Sequence, residues 1–524
     1  MPVTFRETPE SILARLGAWR AADAPTHGGR ILAYVFDTGV AELDGLVAEA
    51  TRAMLPVNGL DPTTFTSVAH LEREVVAFIK EVLHGGADVV GSATTGGTES
   101  NLLAVKTARD AWLADPTRPP GSRPRLVLPV TAHGTFRKAA QYFGLAADVV
   151  PVRADGSVSA HAVAARLADD VALVVASAQA YPFGVLDPVA DVAAAAAERG
   201  VPCHVDACMG GLTLPFWPDA AALPAWDFRV PGVTSIAADL HKFGFAPKGV
   251  SVLLQRGRDH QRRQHFACAD WAGYPLVNPT MLGSKSGMAL AAAWAIIQAL
   301  GVAGFEELTG QVARASADLR AAVTGIEGLR VFGDPTGPMI AAAADPDAAP
   351  ERRVDPHHWA DALRPLGWTV QMQPGLVQAD GVALPATTHL TVTPVTESRL
   401  PDLLPALGAA ADAVRGVPPV DGQALLARLR LPSVATSGSA AAAQGTNLGT
   451  RSPGPTGALG GGTAVGGPLD SESAWSLLQA IGLGSTDDDT LPGQQAPLLA
   501  LIEALPADVA ERLLIEKLAR LVES

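Results

Sequence analysis

The two segments that decide the fold are VDACMGG, residues 205–211, and ADLHKFGFAPKG, residues 238–249. Each follows an apolar run of the kind that forms a buried strand, and each carries a charged side chain just beyond it, Asp206 in the first segment and Lys242 in the second. Ligands of open α/β sheets bind where the strands end at their carboxyl edge. We therefore expect Asp206 and Lys242 to belong to one site.

An acid at a strand end, followed by a His-Lys pair, is what an enzyme needs to hold pyridoxal phosphate. The lysine amine forms a Schiff base with the cofactor aldehyde, and the carboxylate keeps the pyridine nitrogen protonated, so that the ring accepts an electron pair. The apolar neighbours of Lys242 predict that its amine is partly desolvated and that its pKa is lowered. Taken alone, Asp206 is equally consistent with an acid whose carboxylate is hydrogen-bonded to a loop backbone. A His-Lys pair by itself is weak evidence for a cofactor site.

A glycine-rich segment, TTGGTESN at residues 94–101, precedes a helical pattern. Glycines let the backbone approach an anion, and the N-terminus of a helix offers free N–H groups and a positive dipole end. Gly97 and Thr98 are therefore candidates for binding a phosphate. The alternative is an ordinary helix start at which Thr98 or Ser100 is the N-cap.

A histidine follows another predicted strand, in the segment TAHGTFRKAA at residues 131–140. The imidazole of His133 at this position is suited to stack on a flat cofactor ring, although a histidine that caps the next helix is the alternative. His241 is a candidate contact of the cofactor phosphate, and Lys248 is a candidate for binding a second anion. Phosphate-loop, zinc-helix and dinucleotide motifs are missing from the sequence, and no metal is expected.

Composition narrows the class of protein. The chain has 524 residues and a formal net charge of −14, which argues against nucleic-acid binding. Its three cysteines form no disulfide framework and no zinc ligand set, and together with a polar N-terminus they favour a cytoplasmic location. Residues 288–305 are apolar and long enough to span a membrane, but their Ala/Gly-rich composition favours a helix buried in an enzyme over membrane insertion.

Apolar runs alternate with Ala-rich helical patterns between residues 68 and 300, which predicts a mainly parallel sheet covered on both faces. The predicted strands are 125–130, 149–152, 172–176, 202–205, 235–237 and 251–255, then 329–332, 367–372 and 389–393 in a second domain. The predicted helices include 41–55, 98–114, 135–143, 160–169 and 188–199. The predicted domains are an N-terminal arm (1–60), a large cofactor-binding domain (61–304), a small α+β domain (305–430), a flexible Gly/Ala/Ser/Pro linker (431–469) and an acidic helical appendix (470–524).

At residues 95–101, 133–144, 205–211 and 238–249 the chain resembles the group II pyridoxal-phosphate decarboxylase family, and within it the sphingosine-1-phosphate lyase branch. The resemblance extends over roughly residues 25–415. The segments that extend it are 58–74, 270–273, 278–280 and 283–287. The ending APKG at residues 246–249 is the feature that points to the lyase branch.

This resemblance implies an α/β protein of the fold-type I PLP-dependent transferase fold, with a mainly parallel seven-stranded sheet and a smaller C-terminal α+β domain. It implies a homodimer with the active site at the subunit interface. The implied catalytic residues are Lys242 as the Schiff-base lysine, Asp206 on the pyridine nitrogen and His133 stacked on the ring. Further implied cofactor-binding residues are Gly97, Thr98, His241 and Ser177. The implied substrate-binding residues, some of them on a loop that reaches the partner's site, are Lys248, Asn58, Ser284, Lys285 and Tyr274.

The chain departs from the lyase branch at a few positions. Residues 58–61 read NGLD where Asn-Pro-Leu-His is usual, so Asp61 stands in place of a histidine. Lys285 replaces an arginine, which keeps the charge but not the bidentate fork. Tyr274 stands two positions earlier than the tyrosine expected after Trp271, and Phe245 replaces another frequent tyrosine.

Three functions remain open. The first is a carbon–carbon lyase, an aldehyde-lyase that cleaves a small amine substrate, phosphorylated or not, through an external aldimine. The second is an amino-acid decarboxylase, a carboxy-lyase, on the same scaffold. The third is a non-catalytic scaffold whose tail, residues 470–524, recruits a protein partner; the intact Asp206 and Lys242 argue against it, although a partner for the tail fits an active enzyme too.

Overall fold

The computed structural model describes residues 5–119, 121–428, 469–483 and 494–523. Nearly all of the predicted linker, 431–469, and part of the predicted appendix lie outside these residues. The domain boundaries therefore stay predictions.

The N-terminal arm contains two helices, α1 (Pro9–Ala21) and α2 (Ala41–Ala53). Thr8 caps α1, because its hydroxyl oxygen accepts the N–H of Ser11 at 3.2 Å. No residue of α1 is buried in this chain. The second helix confirms the prediction over 41–55, apart from its last two residues.

The central sheet has seven strands, in the order β1-β7-β6-β5-β4-β2-β3. The pairs among β2 to β6 are parallel, whereas β7 is antiparallel to both of its neighbours. The strands are β1 (Val89–Thr94), β2 (Arg125–Pro129), β3 (Ala146–Val150), β4 (Val171–Ser177), β5 (Cys203–Asp206), β6 (Val233–Ala238) and β7 (Ser251–Arg256). The carboxyl ends of β1, β2, β4, β5 and β6 therefore lie at the same edge of the sheet.

Helices cover both faces of this sheet, and each face has its own apolar core. Leu102 and Phe136 belong to the core on one face, which α4 and α5 cover, whereas Val75 and Val192 belong to the larger core on the other. The helices are α3 (Thr66–Val82), α4 (Gly97–Leu113), α5 (Thr135–Phe143), α6 (Ala160–Ala164) and α7 (Val189–Glu198). The predicted parallel sheet with two covered faces is confirmed.

A short helix, a hairpin and a long helix follow the sheet. They are α8 (Arg258–Arg262), β8 (Phe266–Cys268), β9 (Leu276–Asn278) and α9 (Met288–Gly325). Among the described residues α9 alone is long and apolar enough to cross a membrane by length and composition. It packs against α2 and α3 and is kinked at Gly301, which has a φ of 54°. These contacts are those of a helix in a protein core.

The small α+β region is built on a four-stranded antiparallel sheet, in the order β10-β11-β15-β12. Leu32 of the N-terminal arm joins its edge, since its N–H donates to Thr369 O at 2.8 Å. The elements are β10 (Leu329–Val331), β11 (Met339–Ala344), α10 (Pro356–Leu363), β12 (Gln371–Gln373), β13 (Leu376–Val377), β14 (Ala383–Leu384), β15 (Thr387–Thr391) and α11 (Pro394–Val414).

Four further helices are described beyond α11. They are α12 (Gly422–Arg428), α13 (Ser471–Ala480), α14 (Ala496–Ala504) and α15 (Ala507–Arg520). The first packs against α14, and α13 packs against α15 around Leu478 and Leu513. Asp361 of α10 accepts the backbone N–H groups of Gln495 and Ala496 at 2.8 to 2.9 Å, which holds α14 against the small sheet region.

Several predicted elements differ from the structure, and one strand was not predicted. The strand predicted over 367–372 begins only at Gln371, as β12. The strand predicted over 149–152 lies three residues earlier, as β3, because its pairing with β2 begins at Ala146 and Pro151 offers no N–H. The helix predicted over 160–169 ends at Ala164, where i→i+3 turn bonds replace helical ones. The run MIAAAA of β11 was not predicted as a strand, since alanine favours helices and only pairing with β10 and β15 makes it extended.

Candidate active site

A cavity of about 830 Å³ opens at the carboxyl edge of the central sheet. Residues at or just after the ends of β1, β2, β4, β5 and β6 line it, together with residues of the arm and of the small sheet. The predicted site residues that line it are Gly97, Thr98, His133, Ser177, Asp206, His241, Lys242 and Lys248. The structure thus brings the predicted catalytic and cofactor-binding residues, and one predicted substrate-binding residue, into one cavity.

The amine of Lys242 is paired with a carboxylate. Its Nζ lies 3.0 Å from Oδ2 of Asp239, three residues earlier, whose own side chain is only 2% exposed. Burial would lower the pKa of Lys242, but the carboxylates of Asp239 and Asp206 outweigh burial, and the pKa lies above its ordinary value. The predicted lowering of this pKa is therefore wrong, because a buried acid next to the amine favours its charged form.

Asp206, at the end of β5, is buried and ionised. Its Oδ1 accepts the N–H of Cys208 at 3.1 Å, and its Oδ2 accepts Nδ2 of Asn101 at 3.1 Å. Burial alone would raise the pKa of Asp206, but the bond from Cys208 and the charge of Lys242 hold that pKa below its ordinary value. Such a carboxylate suits a protonated ring nitrogen.

The glycine-rich segment leads into the N-terminus of α4. Gly96 has a φ of 152°, and a Cβ at Gly97 would lie 2.6 Å from Sγ of Cys208 and 2.7 Å from the carboxylate of Asp239. Only glycine fits so close a packing. Thr98 lies within the first turn of α4 and Ser100 further along, while Gly96 is the N-cap, so the capping alternative for these two residues is wrong.

Glu99 ties this segment to a loop from the hairpin region. Its Oε2 accepts the N–H and the hydroxyl of Thr95 at 2.6 and 2.8 Å, and its Oε1 accepts the N–H of Met281 at 2.6 Å. One buried carboxylate therefore holds both the turn before α4 and the loop that carries Met281, which lines the cavity.

Two histidines border the cavity. Nδ1 of His133 accepts the N–H of Thr135 at 3.3 Å, so this histidine does contact the start of α5 while it lines the cavity. Nδ1 of His241 is buried and, among the described residues, has no hydrogen-bond partner. Burial lowers the pKa of His241. An unpartnered ring nitrogen at the cavity is the kind of group that a bound phosphate satisfies.

Ser177, the last residue of β4, is hydrogen-bonded to the buried Asp187. The N–H of Ser177 donates to Oδ2 of Asp187 at 2.7 Å. Burial raises the pKa of Asp187 to about 7, and the nearby Asp206 adds to that rise.

Lys248 is the second lysine that lines the cavity in the described part of the chain. Its Nζ donates to the carbonyl oxygen of His241 at 2.8 Å and lies 4.6 Å from the ring centre of Phe36. Burial and the charge of Lys242 lower the pKa of Lys248 to about 8. A cation that is partly desolvated binds an anion more strongly than an exposed one.

The wall opposite Lys242 is formed by Tyr34, Tyr181 and Gln371. The hydroxyl of Tyr181 donates to Oε1 of Gln371 at 2.6 Å, and its ring stacks on His389 at 4.6 Å. Burial raises the pKa of Tyr181 to about 12. The small sheet region therefore supplies part of the cavity, which the sequence did not predict.

The other four predicted substrate-binding residues lie elsewhere in this chain. Nδ2 of Asn58 lies 3.3 Å from Oγ of Ser284. Lys285 and Tyr274 line a second cavity of about 710 Å³, which Asp61 also lines. None of these four residues lines the cavity of Lys242 in the described part of the chain.

Several residues of the site were not predicted. Asn101 and His204 support Asp206, Asp239 pairs with Lys242, and Glu99 holds the loop. Two signals were available in the sequence: His204 lies two residues before Asp206 on one strand, and Asn101 lies four residues after Gly97 on one helix, so each pair shares a face.

These residues fit pyridoxal 5′-phosphate. The N-terminus of α4 and the free ring nitrogen of His241 suit its phosphate, the ionised Asp206 suits its ring nitrogen, and Lys242 supplies the amine. Together with the mainly parallel seven-stranded sheet, they define a PLP-dependent enzyme of fold type I.

A family model described as "Pyridoxal-dependent decarboxylase conserved domain" matches residues 31–340, more than half of the chain. The chain belongs to this family. A second model, "Pyridoxal-dependent enzyme, C-terminal putative HTH domain", matches residues 438–520, a region for which the sequence suggested no relative.

Several curated proteins that are similar to this chain are named sphingosine-1-phosphate lyase. Sphingosine-1-phosphate lyase 1 of Mus musculus is 35% identical over 337 residues, which are 64% of this chain and 58% of the relative. Sphingosine-1-phosphate lyase of Dictyostelium discoideum is 37% identical over 311 residues, 59% of this chain and 58% of the relative. The chain thus spans less than two thirds of the length of these relatives.

Solved structures show the same fold. The sphingosine-1-phosphate lyase of Burkholderia pseudomallei is 33% identical with a TM-score of 0.70, covering 82% of this chain and 96% of that one. Glutamate decarboxylase of Lactobacillus brevis is 21% identical with a TM-score of 0.69, covering 80% of this chain and 96% of that one. The second likeness concerns the fold alone.

Proposed function

We propose that this protein is a PLP-dependent carbon–carbon lyase of the sphingosine-1-phosphate lyase type, an aldehyde-lyase that acts on a small amine. The observation that carries the proposal is the 33% identity to the Burkholderia pseudomallei lyase over 96% of that chain. The curated relatives of the same name support it.

The proposed roles follow from the geometry of the cavity. Lys242 would hold the cofactor through its amine and would move a proton at the reacting carbon, and Asp239 restrains its Nζ. Asp206 would keep the ring nitrogen protonated, and His133 would contact the ring. When bound, the cofactor supplies a ring that accepts the electron pair of the broken bond.

The phosphate of the cofactor is proposed to lie at the N-terminus of α4. Gly97 allows close approach of the backbone there, and Thr98 and His241 add polar contacts. Ser177, at the end of β4, is proposed as a further contact of the cofactor. Lys248 is proposed to bind the negative charge of the substrate, since it is the second lysine of the cavity.

A decarboxylase that acts on amino acids is the second candidate. The support is indirect, because Asp61 weakens the case for a phosphorylated substrate: hydrogen bonds from the side chains of Thr63 and Thr64 lower the pKa of Asp61 to about 2. This fixed negative charge lines the second cavity together with Lys285. If that cavity receives the substrate head group, a carboxylate there disfavours a phosphate.

Product analysis of the purified holoenzyme distinguishes the two candidates. Phosphorylated long-chain amino alcohols and free amino acids are supplied separately, and aldehyde and carbon dioxide are measured. Aldehyde from the first set supports the lyase. Carbon dioxide from the second set, without aldehyde, supports the decarboxylase, and neither product with a bound cofactor supports the scaffold.

We also propose that the enzyme is a homodimer whose second subunit receives Asn58, Ser284, Lys285 and Tyr274 into its active site. Exposed apolar side chains support this: those of α1 include Leu13 and Trp19, 64% and 65% exposed, and those of the hairpin include Val277, 61% exposed. Sedimentation analysis tests the state of assembly, and a monomer with full activity contradicts it.

The proposed location is the cytoplasm, and the proposed role of the C-terminal helices is to bind a protein partner. The support for the second is the exposed apolar side of α15, on which Leu514, Ile515 and Leu518 are 54%, 58% and 68% exposed. Cell fractionation tests the location. Deletion of residues 433–524 tests the tail, since unchanged activity and association would make it dispensable.

A further inference from the structure

A buried chain of hydrogen bonds leads away from the cavity behind Asp206. Nδ2 of Asn101 lies 3.1 Å from Oδ2 of Asp206, Oδ1 of Asn101 lies 3.0 Å from Nε2 of His204, and Nδ1 of His204 lies 2.8 Å from Oγ of Ser235. The exposed fractions of Asn101, His204 and Ser235 are 2%, 0% and 3%. Asp206 and Asn101 line the cavity, whereas His204 and Ser235 lie behind them.

The protonation states of Asp206 and His204 determine the direction of each hydrogen bond in this series. Burial lowers the pKa of His204 to about 4, so the imidazole is neutral near pH 7 and has a single N–H. An ionised Asp206 accepts hydrogen bonds only, so Asn101 turns its NH₂ group toward it and its oxygen toward His204. Nε2 of His204 therefore carries the proton, and Nδ1 accepts the hydroxyl of Ser235.

The opposite orientation of Asn101 is unfavourable at Asp206. The amide oxygen would then face the carboxylate, and neither oxygen would receive a hydrogen bond at this buried contact, which is costly. His204 would have to take its other tautomer, with Nε2 as the acceptor and Nδ1 as the donor to Ser235. Phe136 packs edge-on against the His204 ring, with ring centres 5.8 Å apart, and helps to hold it in place.

We infer that His204 is a positioning residue for the cofactor site: its Nε2–H holds the oxygen of Asn101 and so keeps the NH₂ group of Asn101 in place as a donor to Asp206. With Asn101 on Oδ2 and the N–H of Cys208 on Oδ1, the charged form of the carboxylate is stabilised and its direction is set. This inference rests on the proposed role of Asp206 at the pyridine nitrogen, and it assigns a role to a residue that lies outside the cavity.

The test compares His204→Leu with His204→Gln in the full-length protein. Leucine removes the donor to Asn101, whereas glutamine has an NH₂ group that can replace Nε2–H. Thr107→Val is the matched control, because Thr107 is fully buried on the same helix as Asn101 and its hydroxyl has no partner among the described residues. PLP itself is the probe, and no substrate is needed.

Two quantities are measured: the Kd of PLP, and the pH midpoint of the colour change of the lysine-bound cofactor. His204→Leu is expected to raise the Kd about tenfold, the equivalent of one buried hydrogen bond. It is also expected to move the midpoint to higher pH, since a weaker positive charge on the ring nitrogen favours a proton on the linkage to Lys242. His204→Gln restores both quantities, and Thr107→Val leaves both unchanged.

Two results would overturn the inference. One is a wild-type Kd and midpoint in His204→Leu. The other is an equal loss in the leucine and glutamine variants, which would mean that the imidazole serves packing alone. If His204→Leu does not fold, Ser235→Ala replaces it, with a smaller shift expected in the same direction and an unchanged midpoint as the contrary result. Because neither readout involves turnover, they remain decisive even if the wild-type enzyme shows neither proposed activity.

Discussion

Nζ of Lys242 lies 3.0 Å from Oδ2 of Asp239, and Oδ1 of the same carboxylate accepts the hydroxyl of Ser251 at 2.5 Å. Asp239 follows β6 directly, so its position is set by the sheet, and its carboxylate restrains the amine from one side. The pair keeps the amine charged despite burial. The charge of Lys242 is therefore set by a neighbouring carboxylate rather than by desolvation.

Replacing Lys242 with alanine is expected to abolish turnover and the absorbance of the lysine-bound cofactor, because no other amine in the cavity lies beside Asp239 and Asp206. Absorbance spectra and product assays of the purified variant measure this. Lys138→Ala, which changes an exposed lysine near Tyr142, is the control and keeps both properties. An active, coloured Lys242→Ala protein would remove Lys242 from the proposed role.

Asp239→Asn is expected to lower the pKa of Lys242, since burial remains while the pairing charge is lost. The pH at which PLP attaches at half its maximal rate should fall by about one unit or more. Stopped-flow absorbance across a pH series measures the change. Asp227→Asn, which changes a buried acid paired with Arg229, is the control. If the wild type and both variants showed the same pH profile of PLP attachment, Asp239 would not set the pKa of Lys242.

Asp187→Asn is expected to change the pH dependence of stability. The pKa of Asp187 is raised to about 7, so between its unfolded value and about pH 7 the folded state binds the proton more tightly, and stability falls as pH rises through that range. Asparagine removes this loss and is expected to stabilise the protein at pH 8 by on the order of 2 kcal/mol. Thermal midpoints of both proteins at about pH 5 and pH 8 measure it, and a difference independent of pH would contradict the assignment.

Glu99→Gln is expected to loosen the loop at Met281. Glutamine has one acceptor oxygen, so it cannot serve both Thr95 and Met281, and the loss of a bond to a charged acceptor costs about 1.5 to 3 kcal/mol. Hydrogen exchange at residues 279–282 should become faster, and PLP should bind more weakly. Glu74→Gln, which changes an acceptor of Trp294, is the control. Unchanged exchange at the loop would show that Glu99 does not hold it.

Asp361→Ala is expected to release the start of α14 from the small sheet region. The carboxylate of Asp361 accepts two backbone N–H groups there, and losing such a cap costs about 1 kcal/mol. Hydrogen exchange across α14 should increase while α10, which carries Asp361, keeps its protection. Equal protection of α14 in both proteins would mean that other contacts hold the helix.

The sequence allowed the central sheet to be predicted because its strands are buried on both faces. Strand β4 is buried at every position, and such a continuous apolar run between helical patterns is a local signal. Strand β11 was not predicted, because its alanines carry no local preference for an extended chain and it becomes extended only by pairing with β10 and with β15, which lies far along the sequence.

The same contrast applies to the site. Asp206, Lys242, His133 and Gly97 could be predicted, because each follows a strand. The side chains of the first three suit particular atoms of the cofactor, and the missing side chain of Gly97 lets the backbone approach its phosphate. By itself the sequence therefore determined the chemical groups at the sheet edge. Only the tertiary structure decided which groups pair: Asn101 with Asp206, Asp239 with Lys242, and Gln371 with Tyr181. Charge interactions depend on distance through space, so the sign of the pKa shift of Lys242 became apparent only when the chain was folded.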